Sequence, residues 1–268
     1  MKSPLFDSHI HLDRLPPTEV ADEIDQARAS GITSFLVPGI DPVAWDGLIA
    51  LAERHSGVFL APGIHPLVAA SWSTTEEERL RRLLAHPAVI AVGEIGLDSK
   101  ISVPLDLQES VFRSQLRLAV AAGYPLILHC RGALNRSLQI FAEEEGPSVG
   151  GILHAFSGSL EMAQRALRLN LTLGFGGGIT WPEARRAPEL LQTLPATAFV
   201  LESDAPDQSP EPHRREQNRP LWLNLIAKRV AELRNSSEAD LAAQTTVNAR
   251  RVLRLDQSSP LLHKDLSG

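Results

Sequence analysis

The chain has 268 residues, of which 43% are hydrophobic, and it carries a formal net charge of −6. This length and apolar content allow a large core, and an α/β barrel commonly reaches this size as one domain. The negative charge argues against a broad basic surface that holds nucleic acid by counterion release alone, but it leaves open a local phosphate site organised by metal ions.

The sequence carries no sign of secretion or membrane insertion. Its single cysteine, Cys130, excludes an intrachain disulfide framework and is typical of a reducing compartment. The first residues run into a predicted strand without an apolar leader, and no apolar run approaches about 18 residues. We therefore expect a cytoplasmic protein that does not span a membrane, and we expect a monomer.

Short β-rich segments alternate with longer segments of helical period along the whole chain. The predicted strands are residues 5–9, 34–37, 58–62, 89–94, 125–129, 151–154, 171–175 and 199–203. The predicted helices include residues 18–30, 42–56, 76–85, 107–122 and 160–169. Eight repeats of strand and helix predict an α/β fold with a single (β/α)8 barrel. The competing fold is a doubly wound open sheet, which would normally place its site at one switch point.

No Gly-, Ser- or Pro-rich spacer divides the chain into two parts. The longest predicted loops, 71–78 and 204–219, each return to periodic apolar sequence. We therefore predict one domain over residues 1–255. Residues 256–268 are expected to form a disordered tail.

A His-x-His pair stands at the end of the first predicted strand. Because side chains alternate across a strand, His9 and His11 project from the same face and could hold one cation. An isolated pair of this kind is equally compatible with two ordinary histidines in a half-buried strand. The other strand ends must decide between these interpretations.

Further metal-ligand residue types stand at the ends of other predicted strands: His65, Glu94, His129, His154 and Asp204. In a (β/α)8 barrel these ends form the rim where the chemistry takes place. The remaining histidines fall in helix ends, loops or the tail, where they are expected to be solvated: His55, His86, His213 and His263. The pattern predicts a site for two divalent ions about 3.5–4 Å apart, bridged by one carboxylate.

Six ordered segments resemble the TatD-type metal-dependent deoxyribonucleases among the amidohydrolase-like barrels. They are DSHIHL at 7–12, GIHP at 63–66, GEIGLD at 93–98, ILHCR at 127–131, HAFSG at 154–158 and ESDAP at 202–206. The resemblance spans residues 5–254. It implies that one ion is bound by His9, His11, Glu94 and Asp204. It implies that the other is bound by Glu94, His129 and His154.

Two positions depart from the family pattern. Ser99 stands where a tyrosine often follows Gly-Leu-Asp, and Leu67 stands where a second histidine often follows Gly-x-His-Pro. Both fall in rim loops that shape the access of substrate. The departures therefore bear on substrate identity rather than on metal binding.

The residue types also suggest catalytic roles beside the bridging Glu94. Asp204 is expected to orient the attacking water and take its proton. Arg131 offers a planar fork for a phosphate, or else forms a rim salt bridge. His65 is expected to contact the phosphate or protonate the leaving group, unless it is a buried hydrogen-bonded residue. Glu202 is expected to support a ligand histidine.

Three further features have structural interpretations. Cys130 is expected to point toward the helices as a small core residue rather than to act as a nucleophile. Trp181, predicted at the start of a helix, and Trp72, in the third rim loop, either stack on a base or pack on the barrel. The glycine-rich residues 174–178 are expected to allow close packing at a strand end.

We predict a metal-dependent deoxyribonuclease that cleaves phosphodiester bonds in DNA, from an end or in single strands, with two ions of Mg²⁺, Zn²⁺ or Mn²⁺. Hydrolysis of another ester or amide, such as deacylation of D-aminoacyl-tRNA, is the enzymatic alternative. A non-catalytic metal-binding barrel is the alternative of a different class, and the complete ligand set argues against it. The phosphotriesterase-like branch is less favoured, because Glu94 stands where that branch typically has a modified lysine.

Overall fold

The structure, a computed structural model, describes residues 3–256. Strands and helices alternate along the chain. The strands are β1 (Leu5–Asp7), β2 (Ile32–Pro38), β3 (Val58–Ala61), β4 (Val92–Asp98), β5 (Leu126–Arg131), β6 (Gly151–Leu153), β7 (Leu171–Phe175) and β8 (Phe199–Leu201). The helices are α1 (Val20–Ala29), α2 (Trp45–Arg54), α3 (Thr74–Leu83), α4 (Leu105–Ala122), α5 (Leu134–Glu143), α6 (Leu160–Arg168), α7 (Arg186–Thr193), α8 (Leu223–Arg234) and α9 (Glu238–Val252).

All the strands pair in parallel and in chain order, as one sheet of β1–β3 and another of β4–β8. Backbone hydrogen bonds close both seams between the sheets. The amide of Ser8 donates to the carbonyl of Leu201 at 3.0 Å, and the amide of Ile90 donates to the carbonyl of Leu60 at 3.0 Å. Closure at both seams is a barrel rather than an open sheet. The predicted (β/α)8 barrel is therefore confirmed, and the doubly wound alternative is wrong.

The fourth strand differs from its predicted bounds of 89–94. It begins at Val92 and continues to Asp98, and all of its residues are buried. The prediction ended the strand too early because Gly96 interrupts its apolar pattern. A Cβ atom at Gly96 would lie 2.0 Å from the carbonyl oxygen of His129, so this glycine allows close approach of β5 rather than ending β4. Glu94 consequently lies within the strand, and Asp98 lies at its end.

Two glutamines of α4 hold backbone groups at the barrel rim. The side-chain amide of Gln115 accepts a hydrogen bond from the amide of Ile64 at 2.7 Å and donates to the carbonyl of Ile64 at 3.0 Å. Gln108 makes the same pair of hydrogen bonds with the backbone of Asp98, at 2.8 and 3.0 Å. Both glutamines are buried. The outer helix α4 therefore fixes the chain segments that carry His65 and Asp98.

Two sequence predictions concern the remaining segments. The tail predicted from residue 256 falls, apart from Asp256 itself, outside the described residues. Trp181 does not begin a helix, because a 3-10 helix at Gly177–Thr180 ends just before it and α7 begins only at Arg186.

Among residues 3–256, none of the helices combines the length and the apolar character that crossing a membrane requires.

Candidate metal centre

The two histidines of the His-x-His pair leave the barrel directly after β1. Both are buried, and their Nε2 atoms lie 3.2 Å apart. The loop after β8 holds their backbone: the amide of His11 donates to the carbonyl of Ala205 at 2.8 Å, and the amide of Asp204 donates to the carbonyl of His9 at 2.9 Å. The ends of β1 and β8 thereby bring Asp204 to the histidine pair.

Four ligand atoms converge at this point: the Nε2 atoms of His9 and His11, Oε2 of Glu94 and Oδ1 of Asp204. We call them the four-atom group. Oε2 of Glu94 lies 3.4 Å from the His9 nitrogen and 3.8 Å from the His11 nitrogen, and Oδ1 of Asp204 lies 3.7 and 3.6 Å from them. A tetrahedral ion with ligands at about 2.0–2.2 Å requires ligand separations of about 3.3–3.6 Å. The atoms of His9, His11 and Asp204 all lie within 4.8 Å of one another and could hold one divalent ion, with Oε2 of Glu94 facing the two histidines.

The second carboxylate oxygen of Glu94 faces another set of ligands. Oε1 lies 2.7 Å from Nδ1 of His129 and 4.0 Å from Nε2 of His154. The other ring nitrogen of His129 lies 3.3 Å from Oδ2 of Asp98, a residue to which the sequence analysis assigned no role. This set is more open than the four-atom group, but Glu94 presents one oxygen to each. A single carboxylate is thus placed to bridge two cations.

His154 follows β6 and lies between carboxylates. Its Nε2 atom is 3.8 Å from Oδ2 of Asp204, and its Nδ1 atom is 3.0 Å from Oε1 of Glu202. The same oxygen of Glu202 accepts a hydrogen bond from the amide of Ala155 at 2.7 Å. Glu202 therefore lies behind His154, where a carboxylate that orients a ligand histidine would lie.

The electrostatics of the site favour a bound cation. Burial opposes a charge on His154, but the nearby Glu202, Asp204 and Glu94 outweigh this effect and raise its pKa to about 10. Burial also opposes the charge of Glu94, yet the neighbouring His9 and His129 hold the pKa of Glu94 well below its ordinary value. The raised pKa of His154 reflects the surplus of negative charge at the site. A divalent cation supplies positive charge that compensates this surplus.

Asp7 is a functional residue candidate that the sequence analysis did not single out. Its buried carboxylate Oδ1 accepts hydrogen bonds from the amide of His9 at 3.4 Å and from the amide of Ser203 at 2.9 Å. Burial raises the pKa of Asp7 to about 7. Asp7 therefore joins the chain ends that follow β1 and β8. Its place on the same strand face as His9 and His11 was the signal available from the sequence.

His65 lies beside this cluster rather than within the four-atom group. Its Nδ1 atom accepts a hydrogen bond from the amide of Leu67 at 3.0 Å, and its ring packs edge-on against His129 with centroids 4.4 Å apart. Burial lowers the pKa of His65 to about 4. Because Nδ1 is an acceptor, the neutral ring carries its proton on Nε2. That N–H group is available as a hydrogen-bond donor.

The cluster opens into a cavity of about 830 Å³, which we call the central cavity. Arg131, at the end of β5, is exposed on its wall, and its guanidinium forms no ion pair with any carboxylate of residues 3–256. Within the described residues Arg131 thus forms no rim salt bridge, and its contact with a phosphate stays a prediction. Arg14 and Asp207 form an ion pair at the same cavity. Leu67 lines the cavity and is 55% exposed.

The remaining predictions concern the single cysteine and the histidines expected to be solvated. Cys130 packs toward the outer helices, beside Ser137 of α5, as predicted, and burial raises the pKa of its thiol to about 12, which does not suit a nucleophile. Three histidines expected to be solvated are half-buried: His55, His86 and His213. They lie apart from the cluster, and His213 stacks on Trp222 with centroids 4.1 Å apart. His263 falls outside the described residues.

Residues 6–254 match the protein family described as TatD related DNase. The chain belongs to this family. The TatD-type resemblance predicted from the six sequence segments is confirmed, and with it the predicted enzyme class, a hydrolase of the TatD type. The match covers nearly the whole barrel, including the strands from Phe6 onward and the metal-ligand residue types that lie in them or follow them.

Several TatD relatives resemble the chain over most of their length. An uncharacterized metal-dependent hydrolase, YabD, from Bacillus subtilis is 33% identical over 94% of this chain and 100% of its own length. A 3'-5' ssDNA/RNA exonuclease TatD from Cronobacter turicensis is 38% identical over 88% of this chain and 92% of its own length. The crystal structure of the TatD homolog YJJV from Escherichia coli superposes with a TM-score of 0.87 at 30% identity, covering 92% and 97% of the two chains.

Proposed function

We propose that this TatD-type protein is a divalent-metal-dependent exonuclease that removes nucleotides from the 3′ end of single-stranded DNA or RNA. The observation that carries the proposal is the position of the Glu94 carboxylate. Its Oε2 atom belongs to the four-atom group, and its Oε1 atom faces His129 and His154. Two-ion sites of this kind suit phosphodiester hydrolysis. The 3′ polarity and the single-stranded substrate follow the exonuclease relative from Cronobacter turicensis.

The proposed cofactor is a pair of divalent ions. One would be held by His9, His11, Glu94 and Asp204, and the other by Glu94, His129 and His154. Imidazole and carboxylate ligands suit Zn²⁺ and Mn²⁺, while Mg²⁺ prefers oxygen ligands. Mn²⁺ is accordingly the ion with which we would first assay activity. When bound, such ions lower the pKa of a water molecule and withdraw charge from a phosphoryl oxygen.

The protein's own residues would supply the remaining steps. Asp204 accepts a hydrogen bond from the side chain of Gln208 through Oδ2, so its orientation is fixed while it receives the proton of the attacking water. The Nε2–H group of His65 donates to a phosphate oxygen or to the leaving oxygen. Arg131 binds a phosphate through its planar guanidinium fork. Each group lines the central cavity.

The access route favours an unpaired strand end. The residues of the four-atom group are buried, with between 0% and 6% of each residue's surface exposed, at the floor of the central cavity. A duplex is too wide to present one phosphodiester at this depth, whereas a single strand can enter end first. The net charge of −6 is compatible with this route because the positive charge needed is local.

Nucleotide release from a labelled single-stranded oligonucleotide with Mn²⁺ or Mg²⁺ tests the proposal. We expect 3′→5′ release by the wild type, and a loss of about 100-fold or more in Glu94→Gln and Asp204→Asn. Variants as active as the wild type would show that the site is wrong. Equal cutting of circular and linear single strands would exclude an exonuclease. Deacylation of mischarged transfer RNA without nucleotide release would favour the ester-hydrolysis alternative.

The proposal includes a monomeric protein that acts in the cytoplasm. All residues of the four-atom group, together with Glu202 and His65, come from one chain, so the site is complete without a second copy. Sedimentation equilibrium at assay concentration would check the monomer, and cell fractionation would check the compartment. A dimer whose dissociation leaves activity unchanged would correct only the oligomeric state.

A further inference from the structure

A smaller cavity of about 350 Å³ adjoins the central cavity, and we call it the side cavity. Four residues line both cavities: Ala155, Ser157, Trp181 and Gln208. Gln208 also donates a hydrogen bond to Oδ2 of Asp204. The side cavity therefore begins one side chain away from a carboxylate of the four-atom group.

The indole ring of Trp181 has a fixed orientation at this junction. Its Nε1–H group donates to the carbonyl of Ser209 at 2.9 Å. The guanidinium of Arg214 lies over the ring, 4.4 Å from its centroid, and also pairs with Glu183. A ring already held at its edge and over its face loses little conformational freedom when a ligand stacks on it.

The wall of the side cavity is positively charged. Arg185 and Arg186 line it and are exposed, and neither forms an ion pair with a carboxylate within residues 3–256. The acidic residue nearest to them in sequence, Glu183, is engaged by Arg214. Arg186 donates one hydrogen bond to the carbonyl of Ser157 at 3.5 Å. An aromatic ring beside guanidinium groups that form no ion pair among these residues is a combination by which proteins bind single-stranded nucleic acid.

We propose that the side cavity binds the base of the 3′-terminal nucleotide, with Trp181 as its stacking surface and Arg185 and Arg186 facing the adjacent backbone. This inference rests on the proposed exonuclease function. A volume of about 350 Å³ is near the lower end of the range for small-molecule pockets, so it suits one base rather than a length of strand. Stacking on Trp181 would place the terminal phosphodiester beside Asp204 through the shared wall.

The test compares two 5′-labelled single-stranded oligonucleotides, one with a normal 3′ end and one whose terminal nucleotide lacks a base. For the normal substrate, we expect Trp181→Ala to raise KM about 5- to 100-fold, as loss of one base–aromatic stack does. Trp181→Phe keeps a ring and should lie within about threefold of the wild type. The matched control is Trp72→Ala, since Trp72 lines neither cavity.

The abasic substrate separates binding from a structural role. If Trp181 stacks on the terminal base, wild type and Trp181→Ala should have the same KM for this substrate. Equal impairment of Trp181→Ala on both substrates would overturn the inference. A wild type that releases no nucleotide from the normal oligonucleotide would overturn the proposed function itself. An active wild type with unchanged Trp181→Ala would overturn the inference alone.

Discussion

Nδ1 of His154 lies 3.0 Å from Oε1 of the fully buried Glu202, which makes the end of β8 the support for a proposed ligand that follows β6. Gly174 of β7 passes directly between these elements. A Cβ atom at Gly174 would lie 2.2 Å from Oε2 of Glu202. The orientation of His154 therefore depends on the absence of a side chain at position 174.

We predict that Gly174→Ala weakens metal binding by displacing Glu202 from His154. The affinity for Mn²⁺ should fall about 10- to 100-fold, as it does when a carboxylate behind a ligand histidine is removed, while kcat at saturating Mn²⁺ changes little. Titration of activity with Mn²⁺ measures both. Gly47→Ala is the matched control, since a Cβ at Gly47 meets no atom within 4 Å. An unchanged affinity in Gly174→Ala would contradict the role of Glu202.

Removal of divalent ions should lower thermal stability. At a free ion concentration of about 100 times Kd, each bound ion adds about 2.7 kcal/mol to the free energy of unfolding. This corresponds to a Tm increase of at least about 5 °C in a chain of this size. Thermal unfolding in EDTA and in Mn²⁺ measures the shift. Asp204→Asn, which changes one ligand of the four-atom group, should lose most of it. A wild type with equal Tm in both buffers would argue against a metal site.

Arg131→Ala should weaken the binding of single-stranded substrate without altering the metal site. We expect a several-fold higher KM, an unchanged Mn²⁺ affinity, and a salt dependence of log K that is shallower by about 0.7, the value for one phosphate contact on a single strand. Arg131→Lys keeps the charge but not the fork, so it should recover only part of the loss. The control is Arg229→Ala on α8, whose guanidinium pairs with Glu232. An unaltered salt dependence would show that Arg131 does not contact a phosphate of the substrate.

Glu144 should stabilise the protein at neutral pH and lose this effect in acid. Arg117 and Arg113, from α4, bind its carboxylate and hold its pKa below the ordinary value of 4.5, against the opposing effect of burial. A lowered pKa in the folded state means stabilisation above pH 4.5 that disappears as the pH falls below it.

The variant Glu144→Gln tests this pH dependence. Its free energy of unfolding in urea should fall short of the wild-type value by up to about 1 kcal/mol at pH 7, and the difference should shrink as the pH falls below 4.5. Glu78→Gln, at an exposed position of α3, is the matched control. A difference for Glu144→Gln that grows toward acid would give the opposite sign and refute the prediction.

The barrel could be predicted from the sequence because eight apolar segments and their helices have clear periods. The register of β4 could not. Gly96 looks like a strand terminus in the sequence, and only the carbonyl of His129 packed against it shows why a glycine is required there. As a result, Asp98 received no role, although it lies 3.3 Å from a ring nitrogen of His129.

The sequence predicted the candidate ligand residues better than the contacts that surround them. The TatD-type resemblance grouped His9, His11, Glu94 and Asp204, and barrel closure brings their side chains together although Glu94 lies within β4 rather than at its end. The hydrogen bond from the amide of Ser203 to Asp7 joins residues almost 200 positions apart, and no local pattern encodes it. The place of Trp181 was also hidden, since its junction between two cavities depends on the fold of the loop that contains Gln208.

The two rim contacts of α4 have a consequence for how this enzyme can change over evolutionary time. Gln108 and Gln115 are seven residues apart, which is nearly two helical turns, or about 10.5 Å along the axis. Deleting or inserting one residue between them would rotate one amide about 100° away from its backbone partner. The length of this stretch of α4 is therefore constrained more tightly than the residues on its solvent side, because an outer helix sets the spacing of the catalytic rim.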